Sequence, residues 1–448
     1  MKRHRRKKIL LLQPPLRDFY RTRFREYPLG LLYLASSLIE AGHEVKIIDA
    51  RLCKKPKPVN IYPELVCAEK LHLFSGMFAG FRHFGMKFDA IAEAAKEFAP
   101  DIVCLNSMFT PYEREVFATA QSIKAALPSC KIVAGGCHAT ASPETHLDSG
   151  YIDCVIKGEG EKALLQIVAM DNPHGIISAD GRPFIENDLD ALPVPARSLI
   201  DASKYTLGKK RYTMILTTRG CPHRCSFCST HVVAGFIHRT RSADSVMHEI
   251  DECVRNHGIG IIDFQDDNFL YDRPRAVKIL SEVSAKYAGT VEFMATNGLN
   301  AAHLDGEIIT LLKKCGFRKL DLALATGEVE SRCSMLRPET VAKYESTLKA
   351  ANQIGLPVTT YIILGFPKQS LCEIKDTVRY LKGLETLIAP SVFYNVPGMP
   401  IFEEMKKYEY SNSNTARRSS AINCYGDDFD RNDILEILLD IRKYNDRG

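Results

Sequence analysis

The sequence predicts an α/β protein in two halves: a doubly wound parallel sheet, then a partial (β/α)6 barrel. Three observations predict it. Up to about residue 170, short apolar runs alternate with helix-period stretches, the pattern of strands joined by crossover helices. From residue 211 the alternation restarts and gives six strand–helix units. Between the two series, NPHG, SADGRP and LPVPARS concentrate turn formers. The expected domains are the sheet over 8–170, a linker over 171–210, the barrel over 211–402 and a C-terminal helical tail over 403–448.

In the first half, KILLLQPP reads as a strand and 29–40 as a helix stopped by Gly42. EVKIIDA and DIVCLNS are the next strands, 112–127 is helical, and KIVAGG and CVIKGEGE are the fourth and fifth strands. Residues 51–90 carry Phe74, Phe78, Phe81, Phe84 and Phe88. A structureless loop of that length is rare in a compact domain, so a helical excursion with a local core is expected there. In the second half the strands are TMILTTRG, IIDFQDD, VEFMATNG, LDLALATG, VTTYIILG and PSVFYNV. Helices are expected at 243–256, 273–287, 305–315, 338–353 and 371–384, with one more at 433–444 in the tail. Polar or glycine residues follow each barrel strand, at the end where barrels carry their chemistry.

Composition narrows the function. The chain of 448 residues is 45% hydrophobic and 25% charged, with a net charge of +5. That is ordinary for a globular protein and argues against a nucleic-acid binder, which concentrates basic charge on one face. The basic run from Lys2 to Lys8 reads as a solvated start of chain. The apolar stretch after it ends at Gln13, too short for a signal peptide. No stretch approaches the ~20 apolar residues of a membrane span. The expected location is cytoplasmic.

Of fourteen cysteines, most stand singly in apolar runs, as Cys104, Cys154 and Cys315 do, and read as small buried hydrophobes. Only Cys221, Cys225 and Cys228 are clustered, in CPHRCSFC just after a strand. Three close thiolates can hold three irons of a [4Fe–4S] cube and leave the fourth open. Zinc is the rival reading, with His223 as a fourth ligand, although structural zinc prefers two paired ligand sets. A disulfide or inert thiols are the remaining alternative.

C-x3-C-x2-C after the first strand of a barrel resembles the radical S-adenosylmethionine (SAM) superfamily. The resemblance implies a [4Fe–4S] cluster on the three cysteines and SAM on the open iron. It implies that Phe227 approaches adenine, that Asp266 and Asp267 in FQDDNF bind the SAM amino group, and that Asn297 ends the third strand beside them. Glu328 and Glu330 fall where the family contacts ribose, Arg337 could pair with the SAM carboxylate, and Gly365 in ILGFP lies near adenine. Beside each of these non-cysteine readings stands a purely structural role.

The first half resembles the Rossmann-like, cobalamin-binding domain that precedes many such barrels, through PLGLLYLASSLIEAGHEVKIIDA, PDIVCLNS, IVAGGCHATASPE and VIKGEGE. Gly135, Gly136, Gly158 and Gly160 then lie where backbone meets cobalamin, and Ser107 and Thr110 could bond its nucleotide tail. The motif D-x-H-x-x-G is absent, so cobalt is expected to lack a protein histidine, and His138 is weighed as structural or peripheral. The implied function is a cobalamin-dependent methyl transfer to an unactivated carbon. Radical cyclisation or rearrangement is the alternative, and a non-catalytic iron–sulfur redox or sensor protein is the alternative of another class. The expected partners are a small-molecule or peptide substrate and an electron donor such as flavodoxin or ferredoxin.

Overall fold

The computed structural model describes residues 5–20, 27–52, 55–76, 78–170, 172–337, 340–408, 411 and 413–446. Lys2, Arg3 and His4 of the basic run, and Pro338 at the expected start of a barrel helix, lie outside them.

The N-terminal sheet has six parallel strands. Their spatial order is Glu44–Asp49, Lys8–Gln13, Ile102–Asn106, Lys131–Gly135, Cys154–Ile156, Gly175–Ile177. Chain direction across the sheet reverses between the strands 8–13 and 102–106, which creates a switch point. Alternation along the strands feeds two cores. Leu10, Leu12, Val103, Leu105, Ile132 and Ala134 face one side, and Ile9, Leu11, Ile102, Cys104, Val133 and Cys154 face the other. Burial on both faces is why these strands read as continuous apolar runs.

Five of the six strands are those expected. The sixth, Gly175–Ile177, lies inside the stretch read as a linker and pairs with Cys154–Ile156. It is three residues long between turns, too brief to show a period. The excursion is a helix, Val66–Ser75, accompanied by a small antiparallel sheet of 16–18, 82–84 and 57–58. Phe19, Leu65, Ala68 and Phe81 form its local core, closed by Ala416 and Ala421 of the tail.

The barrel strands are Lys210–Ile215, Ile261–Phe264, Glu292–Met294, Leu320–Ala325, Val358–Leu364 and Leu387–Val392. They form two parallel three-stranded groups, linked by bridges at Phe293–Phe317 and Leu299–Leu322. Stacked Phe264, Phe269, Phe293 and Phe317 fill the first group's core. The outer helices Ala243–His257, Arg273–Tyr287, Gly306–Cys315, Val341–Gln353 and Leu371–Lys382 start on side-chain caps from Ser242, Asp272, Asp305, Thr340 and Ser370. Each cap satisfies a backbone N–H the first turn would leave bare. Cys104, Cys154 and Cys315 are buried.

The tail does more than end in a helix. Arg431–Asn445 packs against the last barrel strand and the excursion helix. Upstream, Arg418 donates to the Arg17 and Pro111 carbonyls and pairs with Asp18 at 3.0 Å. The tail therefore straps the barrel to the first half. Among the described residues, no helix is long and apolar enough to cross a membrane.

Candidate functional site

A cavity of about 440 Å³ lies between the two halves. On one side it is bordered by the carboxyl ends of the parallel strands, through Asn106, Gly135, Gly136, Ile156, Gly158 and Gly160. On the other it is bordered by the barrel, through Thr218, Arg219, Thr230, Gln265, Asp267 and Asn297. Leu31, Leu34, Met108, Val133, Leu164 and Val233 make most of its wall apolar. Among the described residues bordering it, none is a histidine. A crevice at the strand ends beside a switch point, with small residues and aliphatic walls, fits a large flat ligand such as cobalamin. Gly158 has φ +100°, and any side chain there would strike the Phe184 backbone.

The three clustered cysteines sit in a loop whose neck is a short antiparallel ladder, Thr218–Arg219 against Arg239–Thr240. Gly220 opens the loop at φ +83°, packed against the Ile237 carbonyl. Cys225 is buried, and Cys221 and Cys228 are half-buried. Ser226 anchors the loop to the barrel, donating to the Met335 and Ser334 carbonyls, each at 3.1 Å. Arg337 holds one guanidinium nitrogen 4.0 Å from the Cys225 sulfur and donates with another to the Ala323 carbonyl at 2.7 Å. Burial pushes the Cys221 thiol up to about 11, and the charges of Asp267, Cys228 and Cys225 add to this. Burial also raises Cys225, and Arg337 opposes it.

Among the described residues, no three His, Cys, Asp or Glu side chains are gathered as ligands of one ion. A cubane asks for something different, one thiolate on each of three separate irons, which spreads the sulfurs apart. The zinc reading weakens further at His223. Its ring stacks on His303 at 6.3 Å, lies edge-on to Tyr271 and meets Asn300 at 3.5 Å. The donor set, three thiols on one anchored loop with the Arg337 guanidinium reaching Cys225 from the barrel, fits an iron–sulfur cluster.

The two aspartates after the second barrel strand separate. Asp266 is buried and accepts from the Thr217 N–H (3.0 Å), the Thr217 hydroxyl (2.8 Å) and the Thr218 hydroxyl (2.6 Å). It braces the neck of the cysteine loop and does not border the cavity. Asp267 does border it, together with Asn297. Its side chain is open to the cavity. Burial pushes it up to about 6, with hydrogen bonds from Thr230 and Asn297 pulling the other way.

A second cavity, about 370 Å³, runs along the fourth to sixth barrel strands and is bordered by Phe227, Ala323, Arg337, Tyr361 and Ser391. Glu328 and Glu330 border neither cavity. Glu328 precedes the helix Val329–Ser334 without a side-chain capping bond, and Glu330 is exposed in its first turn. Gly365, at φ +71°, lies beside the Phe429 ring of the tail and borders neither cavity.

The polar residues expected near cobalamin's tail are each engaged with a buried histidine. The Ser107 hydroxyl meets His146 Nε2 at 2.8 Å, and the Thr110 hydroxyl meets His138 Nδ1 at 3.2 Å. His138 Nε2 meets Glu113 at 2.7 Å, and Asn414 of the tail donates to the same carboxylate at 2.8 Å. Both rings are buried, 5.0 Å apart. Burial drives His146 down to about 4, and the neighbouring His138 adds to this. His138 is held between Thr110 and Glu113 and does not border the cavity.

Sequence reasoning missed Arg219, Glu159, Glu161, Gln265, Thr230 and His146. The available signal was that two glutamates alternate with the glycines of KGEGE and an arginine precedes GCP.

Residues 215–381 match the family model of the radical SAM superfamily, and residues 76–168 match that of the B12 binding domain. Together they span more than half of the chain. The chain is 26% identical over 396 residues to an uncharacterized methyltransferase of Pyrococcus horikoshii, covering 84% of this chain and 78% of the relative. It is 27% identical over 415 residues to cytidylyl-2-hydroxyethylphosphonate methyltransferase of Streptomyces wedmorensis, covering 81% and 73%. Its fold is like that of the radical S-adenosylmethionine methyltransferase TsrM of Kitasatospora setae, solved with cobalamin and a [4Fe–4S] cluster bound. That likeness has a TM-score of 0.65 at 16% identity, over 90% of this chain and 75% of the other. With both domains present in this order, on either side of one shared cavity, the chain belongs to the radical SAM superfamily, in the branch that carries a cobalamin-binding domain.

Proposed function

We propose that this protein is a cobalamin-dependent radical SAM methyltransferase acting on an unactivated carbon. The observation that carries the reading is a cavity bordered both by the parallel-strand ends and by the barrel residues beside the cysteine loop. When bound, the cluster with SAM supplies a hydrogen-abstracting radical, and cobalamin supplies a methyl group. Cys221, Cys225 and Cys228 would hold the cluster as thiolates, with Arg337 favouring the thiolate at Cys225. Burial keeps the free Cys221 and Cys225 thiols protonated, so loading releases protons and weakens as pH falls. Asp267 and Asn297 offer a carboxylate and an amide to the polar end of SAM. Phe227 and the second cavity offer an apolar slot for its adenine. Gly135, Gly136, Gly158 and Gly160, with the aliphatic wall, would receive cobalamin. The apolar lining excludes water, and a common chamber turns methyl capture into an effectively unimolecular event. Radical SAM enzymes need a reductant, and a small flavodoxin- or ferredoxin-like protein is the proposed source.

The test is anaerobic reconstitution. The protein should take up about four irons and about one cobalamin. Given methyl-labelled SAM and a reductant, it should form both 5′-deoxyadenosine and S-adenosylhomocysteine. Stoichiometric zinc without iron, or no retained cobalamin, rejects the reading. 5′-Deoxyadenosine without S-adenosylhomocysteine rejects methyl transfer in favour of cyclisation or rearrangement.

A further inference from the structure

The neck of the cysteine loop is bolted to one turn of the N-terminal sheet. Arg219 and Arg239 are cross-strand neighbours in the ladder that closes the loop. Both reach the turn that holds Gly158 and Gly160. Arg219 pairs with Glu161 at 2.6 Å and with Glu159 at 3.3 Å. Arg239 pairs with Glu159 at 2.6 Å. All four side chains are nearly buried. Arg219 and both glutamates also border the cavity.

Buried ion pairs of this kind contribute little net stability, because desolvation offsets attraction. Apolar side chains would join the two halves as firmly. What a buried pair adds is direction: each guanidinium accepts only one placement of its carboxylate. Backbone hydrogen bonds from Glu159 to Phe184 (2.9 Å) and from Phe184 to Lys157 (2.8 Å) hold the turn within its own half but do not fix it against the barrel. Here two glutamates tie that turn to the neck of the cysteine loop, and the combination sets a register between the two halves.

We propose that Glu159 and Glu161 are positioning residues that fix the cysteine loop at one distance from the parallel-strand ends, so that the groups held on the two sides face each other in a single register. This rests on the cofactor assignment above.

The experiment uses the full chain with Glu159→Gln, Glu161→Gln and the double variant, which keep size and remove charge. Without added cofactors, amide hydrogen exchange in 157–161 and 220–238 should speed up by roughly tenfold in the double variant, while the barrel strand 358–364 stays protected. In the loaded protein, the distance distribution between cob(II)alamin and the reduced cluster, read by pulsed electron paramagnetic resonance, should be narrow in the parent and broad in the variants. Iron and cobalamin content should not change. Should the double variant fail to fold, Arg219→Lys keeps the charge, loses the two-pronged contact and should broaden the same distribution. Unchanged exchange, or an unchanged distance distribution, overturns the proposal. A parent protein that binds no cobalamin would defeat the functional reading instead, and the exchange measurement would then decide the proposal alone.

Discussion

The two walls of the cavity are built from different materials. The sheet wall is mostly backbone and aliphatic side chains, with Gly135, Gly136, Gly158 and Gly160 at the strand ends. The barrel wall is side-chain chemistry: Arg219, Thr230, Gln265, Asp267 and Asn297, beside a loop that presents three thiols. Glu159 and Glu161 also border the cavity from the sheet side, but they are paired to Arg219, so the sheet wall offers mainly shape and the barrel wall charge and thiols. The difference teaches which substitutions should hurt which cofactor.

The largest expected effect falls on the barrel side. Cys225→Ala should abolish the cluster, reducing iron content and visible absorbance to background. Cobalamin uptake should survive, because the sheet wall is untouched. Loss of both cofactors would break the contrast between the walls.

The sheet wall should be the more acid-sensitive, because buried histidines brace it. His146 is held down to about 4 in the folded protein by burial, against about 6.5 unfolded. Between those values the unfolded chain binds the extra proton, so stability falls as pH falls through that window. From pH 7 to pH 4 the contribution lost is about 3 kcal/mol. Denaturant unfolding across this range should show that decline, and His146→Gln should flatten it. Equal slopes for parent and variant would remove the buttress from the argument.

A smaller effect is expected at Gly158→Ala. The left-handed φ and the Phe184 backbone make a methyl group there cost about 2 kcal/mol, read as a lowered denaturation midpoint. Cobalamin affinity should fall with it, while the cluster content holds. The smallest change is Asp267→Asn. Removing a charge-assisted hydrogen bond should weaken SAM binding about tenfold and leave both iron and cobalamin in place. An equal loss of cobalamin would mean that Asp267 serves the sheet wall as well.

Most of the architecture was legible before folding. All six barrel strands, all five outer helices and five of the six sheet strands stand where apolar period and turn residues put them. The clustered cysteines were legible too, because their spacing within eight residues already specifies the geometry of a loop. The candidate side chains were less so. Asp266 and Asp267 look alike in sequence, yet one braces Thr217 and Thr218 while the other faces the cavity. Ser107, Thr110 and Gly365 sat in plausible segments, but their neighbours are His146, His138 and Phe429, which no local pattern announces.

Strands, helices and the ligand loop are written in interactions a few residues apart, so the order of residues along the chain suffices to specify them. The cavity, the carboxylate that faces it and the seam that closes it are not. Arg239 meets Glu159 across 80 positions, Asn414 meets Glu113 across 301, and Arg418 meets Asp18 across 400. Such partners are chosen by which surfaces pack once both halves have formed, because a buried charge finds its counter-ion only where packing brings one within reach. That choice belongs to the tertiary structure alone.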